Sequence, residues 1–159
     1  MSSASESITE SRRDGTSKEL LRSSRVVVAP ETFSLVSVSH TEFSRLLHNS
    51  DLSPRGAAPF MIFSDKHEVT LVLDEIDFEK LRSALGDAKV ARQYRMLTFD
   101  IELDLNIVGF LAEVSRILAG AEVPVIALSS FSRDHLLIRQ GDLARALKSL
   151  GPHVSELCS

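Results

Sequence analysis

Two stretches of this sequence bring together residue types that could do chemistry. Asp134 stands next to His135, an acid beside a base of the kind used in proton transfer. In a strand, however, neighbours point to opposite faces, so the pair reads first as ordinary solvent-side or packed residues. The second stretch is Asp104–Gly109 (DLNIVG), placed just before a helical pattern. Free N–H groups at a helix N-terminus attract a carboxylate, and a glycine there lets a ligand approach the backbone closely. Gly109 could equally do no more than relieve a helix–strand contact, and the local sequence does not choose between the two.

Motifs of known catalytic chemistry are absent. There is no phosphate-binding glycine loop, no HExxH and no GxSxG, so no catalytic residue is assigned. His40, His48, His67, His135 and His153 are scattered without metal-ligand spacing, and neither a metal nor a cofactor is expected. Asp74, Glu75 and Asp77 cluster at a helix start, where the helix dipole accounts for them. The single cysteine, Cys158, lies where a chain end frays, which makes a poor nucleophile site. One cysteine allows no internal disulfide and fits a reducing, cytoplasmic setting.

Composition narrows the class of partner. The chain has 159 residues, 43% hydrophobic and 25% charged, with a formal net charge of −4. That balance is ordinary for a globular protein and opposes a general nucleic-acid binder, which carries a basic surplus. No apolar run approaches the ~20 residues of a membrane span. Residues 1–25 are rich in Ser, mixed in charge and poor in large apolar residues, and are expected to be a disordered tail. They lack the apolar core of a secretory signal, and Glu6, Glu10, Asp14 and Glu19 oppose a mitochondrial presequence.

The elements that must position the candidate residues come from a repeat. Ala58–Gly86 aligns without a gap on Val123–Gly151 at an offset of 65 residues. Pro59 falls on Pro124, Ser64 on Ser129, Leu71 on Leu136, Asp77 on Asp142 and Gly86 on Gly151. In the second copy Met96–Leu103 alternates as a half-buried strand. Val108, Leu111, Ala112, Ser115 and Leu118 follow at helical spacing up to Gly120. Two short strands come next, then a helix over Leu143–Leu150, and His153–Leu157 is expected as a last strand. The first copy reads the same way from Phe33, ending in a strand at Lys89–Gln93. The expectation is an α+β fold of two ferredoxin-like βαββαβ units, 26–93 and 94–157, each an antiparallel sheet with helices on one face.

At this point the sequence resembles a known family. Leu97–Asp100 (LTFD), Leu105–Phe131 and Arg133–Leu147 resemble ACT domains, specifically the subtype found in the cytosolic arginine sensors (the CASTOR family). Glu68–Leu81 resembles the matching stretch of a preceding unit. The resemblance implies a non-enzymatic regulatory protein that binds a small molecule, usually an amino acid, between units, and that pairs as a homodimer or engages a protein partner. It implies that Asn106, Ile107, Val108 and Gly109 offer backbone donors to the ligand carboxylate. It also implies that Ser130, Phe131 and Asp134 face them, the aspartate neutralising a cationic group. Ile107 stands where the arginine sensors carry an acidic residue, which argues against arginine itself. A ligand-free dimerisation module, or a regulatory subunit of an amino-acid-metabolism enzyme, is the alternative. A small enzyme on the same fold is a third reading.

Overall fold

The computed structural model describes residues 16–49 and 57–159. Along the chain the elements are a helical segment over residues 16–23 (α1), β1 (Arg25–Val28), β2 (Phe33–Val38), α2 (His40–Leu47), β3 (Met61–Ser64), β4 (Val69–Asp74), α3 (Glu75–Leu81), β5 (Lys89–Asp100), α4 (Phe110–Gly120), β6 (Ile126–Ser129), β7 (Asp134–Arg139), α5 (Leu143–Leu150) and β8 (Glu156–Cys158). They form two compact units, one of residues 31–94 and one of the chain up to Pro30 together with residues 95–159. The fold is the expected α+β, ferredoxin-like arrangement.

In the unit of residues 31–94 the strand order is β3-β4-β2-β5, with all three pairings antiparallel. Alternation along β2 and β4 sends Val36, Val38, Val69, Leu71 and Leu73 to one face, where Phe78, Leu81 and Leu46 of the two helices cover them. Ser39 caps α2 in a capping box with Glu42. Asp74 caps α3 by accepting from the Asp77 N–H at 2.7 Å, so the acidic cluster at this helix start has a structural role. Residues 50–56, between α2 and β3, lie outside the described residues.

The other unit is assembled differently from the expectation. Its strand order is β6-β7-β5-β1-β8. The place beside β5 is taken by β1, antiparallel with Arg25 opposite Asp100 and Val28 opposite Leu97. Val26–Pro30 therefore belongs to this unit and not to the first. The expected last strand, His153–Leu157, is observed as Glu156–Cys158 and runs parallel to β1 at the outer edge. Lys89–Gln93 and Met96–Leu103 are not separate strands: β5 is continuous and ends at Asp100. Its pairing with β2 shifts register opposite Phe33 and Leu35, and Gln93 takes φ 64 there, as a bulge requires.

Nor is the segment before β1 wholly a solvated tail. Residues 16–23 are helical, Leu21 is 1% exposed, and Ser17 and Ser24 are buried. Leu21 sits in one core with Val26, Phe99, Val114, Leu118, Ile138 and Leu150. That core lies between one face of the sheet and helices α4 and α5. Residues 1–15 lie outside the described residues. Because Leu21 is fully enclosed, Leu21→Ala should cost about 2–5 kcal/mol, measured by urea unfolding. A loss below about 0.5 kcal/mol would mark the segment as a passive tail.

Candidate functional site

A cavity of about 270 Å³ opens between two loops of the second unit. One loop joins β5 to α4 and the other joins β6 to β7. Of the residues picked from the sequence, Ile107, Gly109, Ser130, Phe131 and Asp134 line it. Asn106 and Val108 are not in its wall. The cavity is walled by residues of this unit alone. Sequence reasoning had not singled out Leu103, Leu105, Phe110 or Arg133 as part of it. Leu103, Leu105 and Phe110 read as apolar packing residues in a sequence, and only the loop geometry places them in the cavity wall.

The loops are built by local hydrogen bonds. Asp104 Oδ1 accepts from the Asn106 N–H at 2.8 Å and from its Nδ2 at 2.9 Å, closing a turn in which the Ile107 N–H also donates to the Asp104 carbonyl. Those donors hold the Asp104 carboxyl below the usual carboxylate range. Asp104 and Asn106 therefore close a turn ahead of the helix and do not cap it. The cap position belongs to Gly109, at φ 90 and with no side-chain cap. The first turn of α4 keeps its N–H groups without a capping side chain, and Phe110, Leu111 and Ala112 of that turn line the cavity. Phe110 is also pinned in the core, edge-on to Phe99 with ring centres 5.4 Å apart.

On the facing loop the Ser130 N–H donates to the Arg133 carbonyl at 2.9 Å. The Leu103 N–H donates to the Ser132 carbonyl at 2.9 Å and ties the two loops together. Ser129 Oγ donates to Asp134 Oδ1 at 2.6 Å. Arg133 Nε donates to Asp100 Oδ1 at 3.2 Å, while Arg25 Nη2 donates to Asp100 Oδ2 at 2.6 Å. One carboxylate thus joins the cavity wall to strand β1, and the Arg25 guanidinium, followed by that of Arg133, holds the Asp100 carboxyl below its ordinary range.

Asp134 and His135 are not an acid/base pair. His135 Nδ1 is 2.9 Å from Thr98 Oγ1, and its Nε2 is 3.3 Å from Ser130 Oγ. Among the described residues no group of three or more His, Cys, Asp or Glu could hold a metal ion. Among the same residues no helix is long and apolar enough to cross a membrane.

With this geometry in view, the comparisons with known proteins are specific about the module. Residues 89–151 match the family model of the ACT domain. Among curated proteins none matches the sequence. Among solved structures, protein Atu0741 from Agobacterium tumefaciens is similar at a TM-score of 0.66 and 18% identity, over 86% of this chain and 94% of that one. A protein of unknown function from Vibrio cholerae, VC0802, gives 0.62 and 20%, over 86% and 95%. The regulatory subunit of aspartate kinase from Thermus thermophilus, in its ligand-free form, gives 0.60 and 12%, over 84% and 98%. At these identities the likeness speaks to the fold.

Two predictions follow from the local chemistry. Gly109 has φ 90, and a Cβ there would meet Ser17 Oγ at 3.5 Å, so Gly109→Ala should cost about 1–2 kcal/mol by urea unfolding; an unchanged midpoint would mean the loop can relax. Burial holds the His135 imidazole below its ordinary value, against a smaller opposing pull from Asp134. The unfolded chain then takes up this proton first, so stability present above pH ~6.5 is lost as the pH falls below it. The melting temperature should drop between pH 7.5 and 5.5, and His135→Gln should flatten that slope. An identical slope in the variant would remove His135 as its source.

Proposed function

We propose that this chain is a non-enzymatic regulatory protein that binds a free amino acid in the cavity between the β5–α4 and β6–β7 loops. The observation that carries the reading is the pairing of opposite needs in one small cavity. The uncapped first turn of α4 stands on one wall and the Asp134 carboxylate on the other. An amino acid has the complementary ends: its carboxylate accepts from the N–H groups of residues 110–112, and its ammonium donates to Asp134. Ser130 and Phe131 flank the ammonium end, and Ile107 and Gly109 flank the carboxylate end. Asn106 supports the loop through Asp104, and Val108 spaces the turn ahead of Gly109.

The resemblance to the arginine-sensor subtype supports the same reading, with one departure. An aliphatic Ile107 where those sensors carry an acidic group disfavours arginine. The protein acts in the cytoplasm, as two ACT-like units per chain and as a homodimer, and passes its ligand state to a protein partner. A second reading makes it the separate regulatory subunit of an enzyme of amino-acid metabolism. Its support is the likeness over 98% of a regulatory subunit of aspartate kinase.

A thermal-shift panel of the common amino acids at millimolar concentration tests the reading. A specific ligand at a hundredfold excess over its Kd should stabilise the chain by about 2.7 kcal/mol, and Asp134→Ala should remove most of that shift. No stabilisation by any amino acid, or an unchanged shift in the variant, would contradict it.

A further inference from the structure

We infer that the amino acid held in this cavity carries an apolar side chain, and that Leu105 and Phe131 close over that side chain from opposite loops. The inference rests on the proposed amino-acid site and adds the class of ligand and the residues that select it. Three charged groups line the cavity, and each already has a partner within the chain. Asp104 accepts two hydrogen bonds from Asn106, Arg133 is engaged by Asp100, and one oxygen of Asp134 takes the Ser129 hydroxyl. The remaining oxygen of Asp134 suffices for an ammonium, while Asp104 and Arg133 already hold the two loops through their own hydrogen bonds.

Beside three serines, Ser129, Ser130 and Ser132, most of the rest of the wall is apolar, with Leu103, Leu105, Ile107, Phe110, Leu111 and Phe131 its large side chains. Two of these are unusually open to water, Leu105 at 74% and Phe131 at 83% exposure. They stand at the tips of the two loops that the Leu103–Ser132 hydrogen bond holds together. Exposed side chains of this size are costly to leave in water, and an apolar guest between them removes surface from all three partners. The cavity, at about 270 Å³, falls just below the ~300–1,000 Å³ typical of drug-sized ligands. That volume suits one amino acid better than a peptide segment.

Calorimetry on the full chain with leucine, methionine and phenylalanine, set against alanine, asparagine, glutamine, aspartate and arginine, tests this. At least one of the first three should bind about tenfold or more tighter than alanine or any polar amino acid, since each methylene in an apolar pocket is worth about tenfold or more. Leu105→Ser and Phe131→Ser should each erase most of that preference; both side chains are exposed, so the fold should survive, as circular dichroism can confirm. Polar or charged amino acids binding as tightly would overturn the inference and leave the amino-acid site standing. So would variants that keep the preference, or variants whose effect is to change the mass in light scattering, which would mark the two residues as a protein interface. If nothing in either set binds, the amino-acid site fails and this inference with it.

Discussion

The second unit depends on the insertion of β1 between β5 and β8. Without Arg25–Val28, β5 would present an open edge and β8 would have no neighbour, because β8 pairs with β1 alone. Val26 and Val28 are 0% and 5% exposed, so each contributes about 1.5–3 kcal/mol of apolar burial. The register of this one pairing also sets Arg25 opposite Asp100, the carboxylate that holds Arg133 in the cavity wall. The ladder that completes the sheet is thereby physically continuous with the loop that shapes the site. The helical segment over residues 16–23 leads directly into β1 and places Ser17 beside Gly109, the residue that turns the chain into α4.

This arrangement explains how a small module keeps an open cavity next to its core. Phe110 and Leu103 face two ways, into the cavity wall and into the packed interior. The Leu103–Ser132 hydrogen bond ties the two loops, and the contact of Phe110 with Phe99 pins the ends of the β5–α4 loop to the core. What stays open is the rim, where Leu105 and Phe131 are largely exposed.

Much of this was legible in the residues, and the misses share one cause. Strict alternation in Leu97–Phe99 reports local structure, and β3 and β4 recur as β6 and β7 with the same 65-residue spacing as the aligned sequences; the spacing through Val108, Leu111, Ala112, Ser115 and Leu118 finds the helix but not its buried face, which is Phe110, Glu113, Val114, Ile117 and Leu118. Gly109 and Asp134, whose types are informative by themselves, mark the two loops that line the cavity. The helix over residues 16–23 does not show in the sequence because its only large apolar residues are Leu20 and Leu21, too few to show a period. Val26–Val28 reads as a strand, but nothing local says that its partner lies some seventy residues away in β5. Arg133 and Leu105 were missed for a similar reason. Whether a loop side chain faces a cavity depends on the opposite loop, which a single sequence does not display.

The central claim is that the β5–α4 and β6–β7 loops of this ACT domain together form one amino-acid site. The most direct measurement is a nitrogen-15 NMR titration of the full chain with leucine. The account predicts saturable shifts in the amides of residues 105–112 and 129–134, strongest at residues 110–112 where the carboxylate would be bound. Saturable shifts confined to other residues would place the site elsewhere, and an unchanged spectrum at millimolar leucine would contradict the ligand drawn from this cavity.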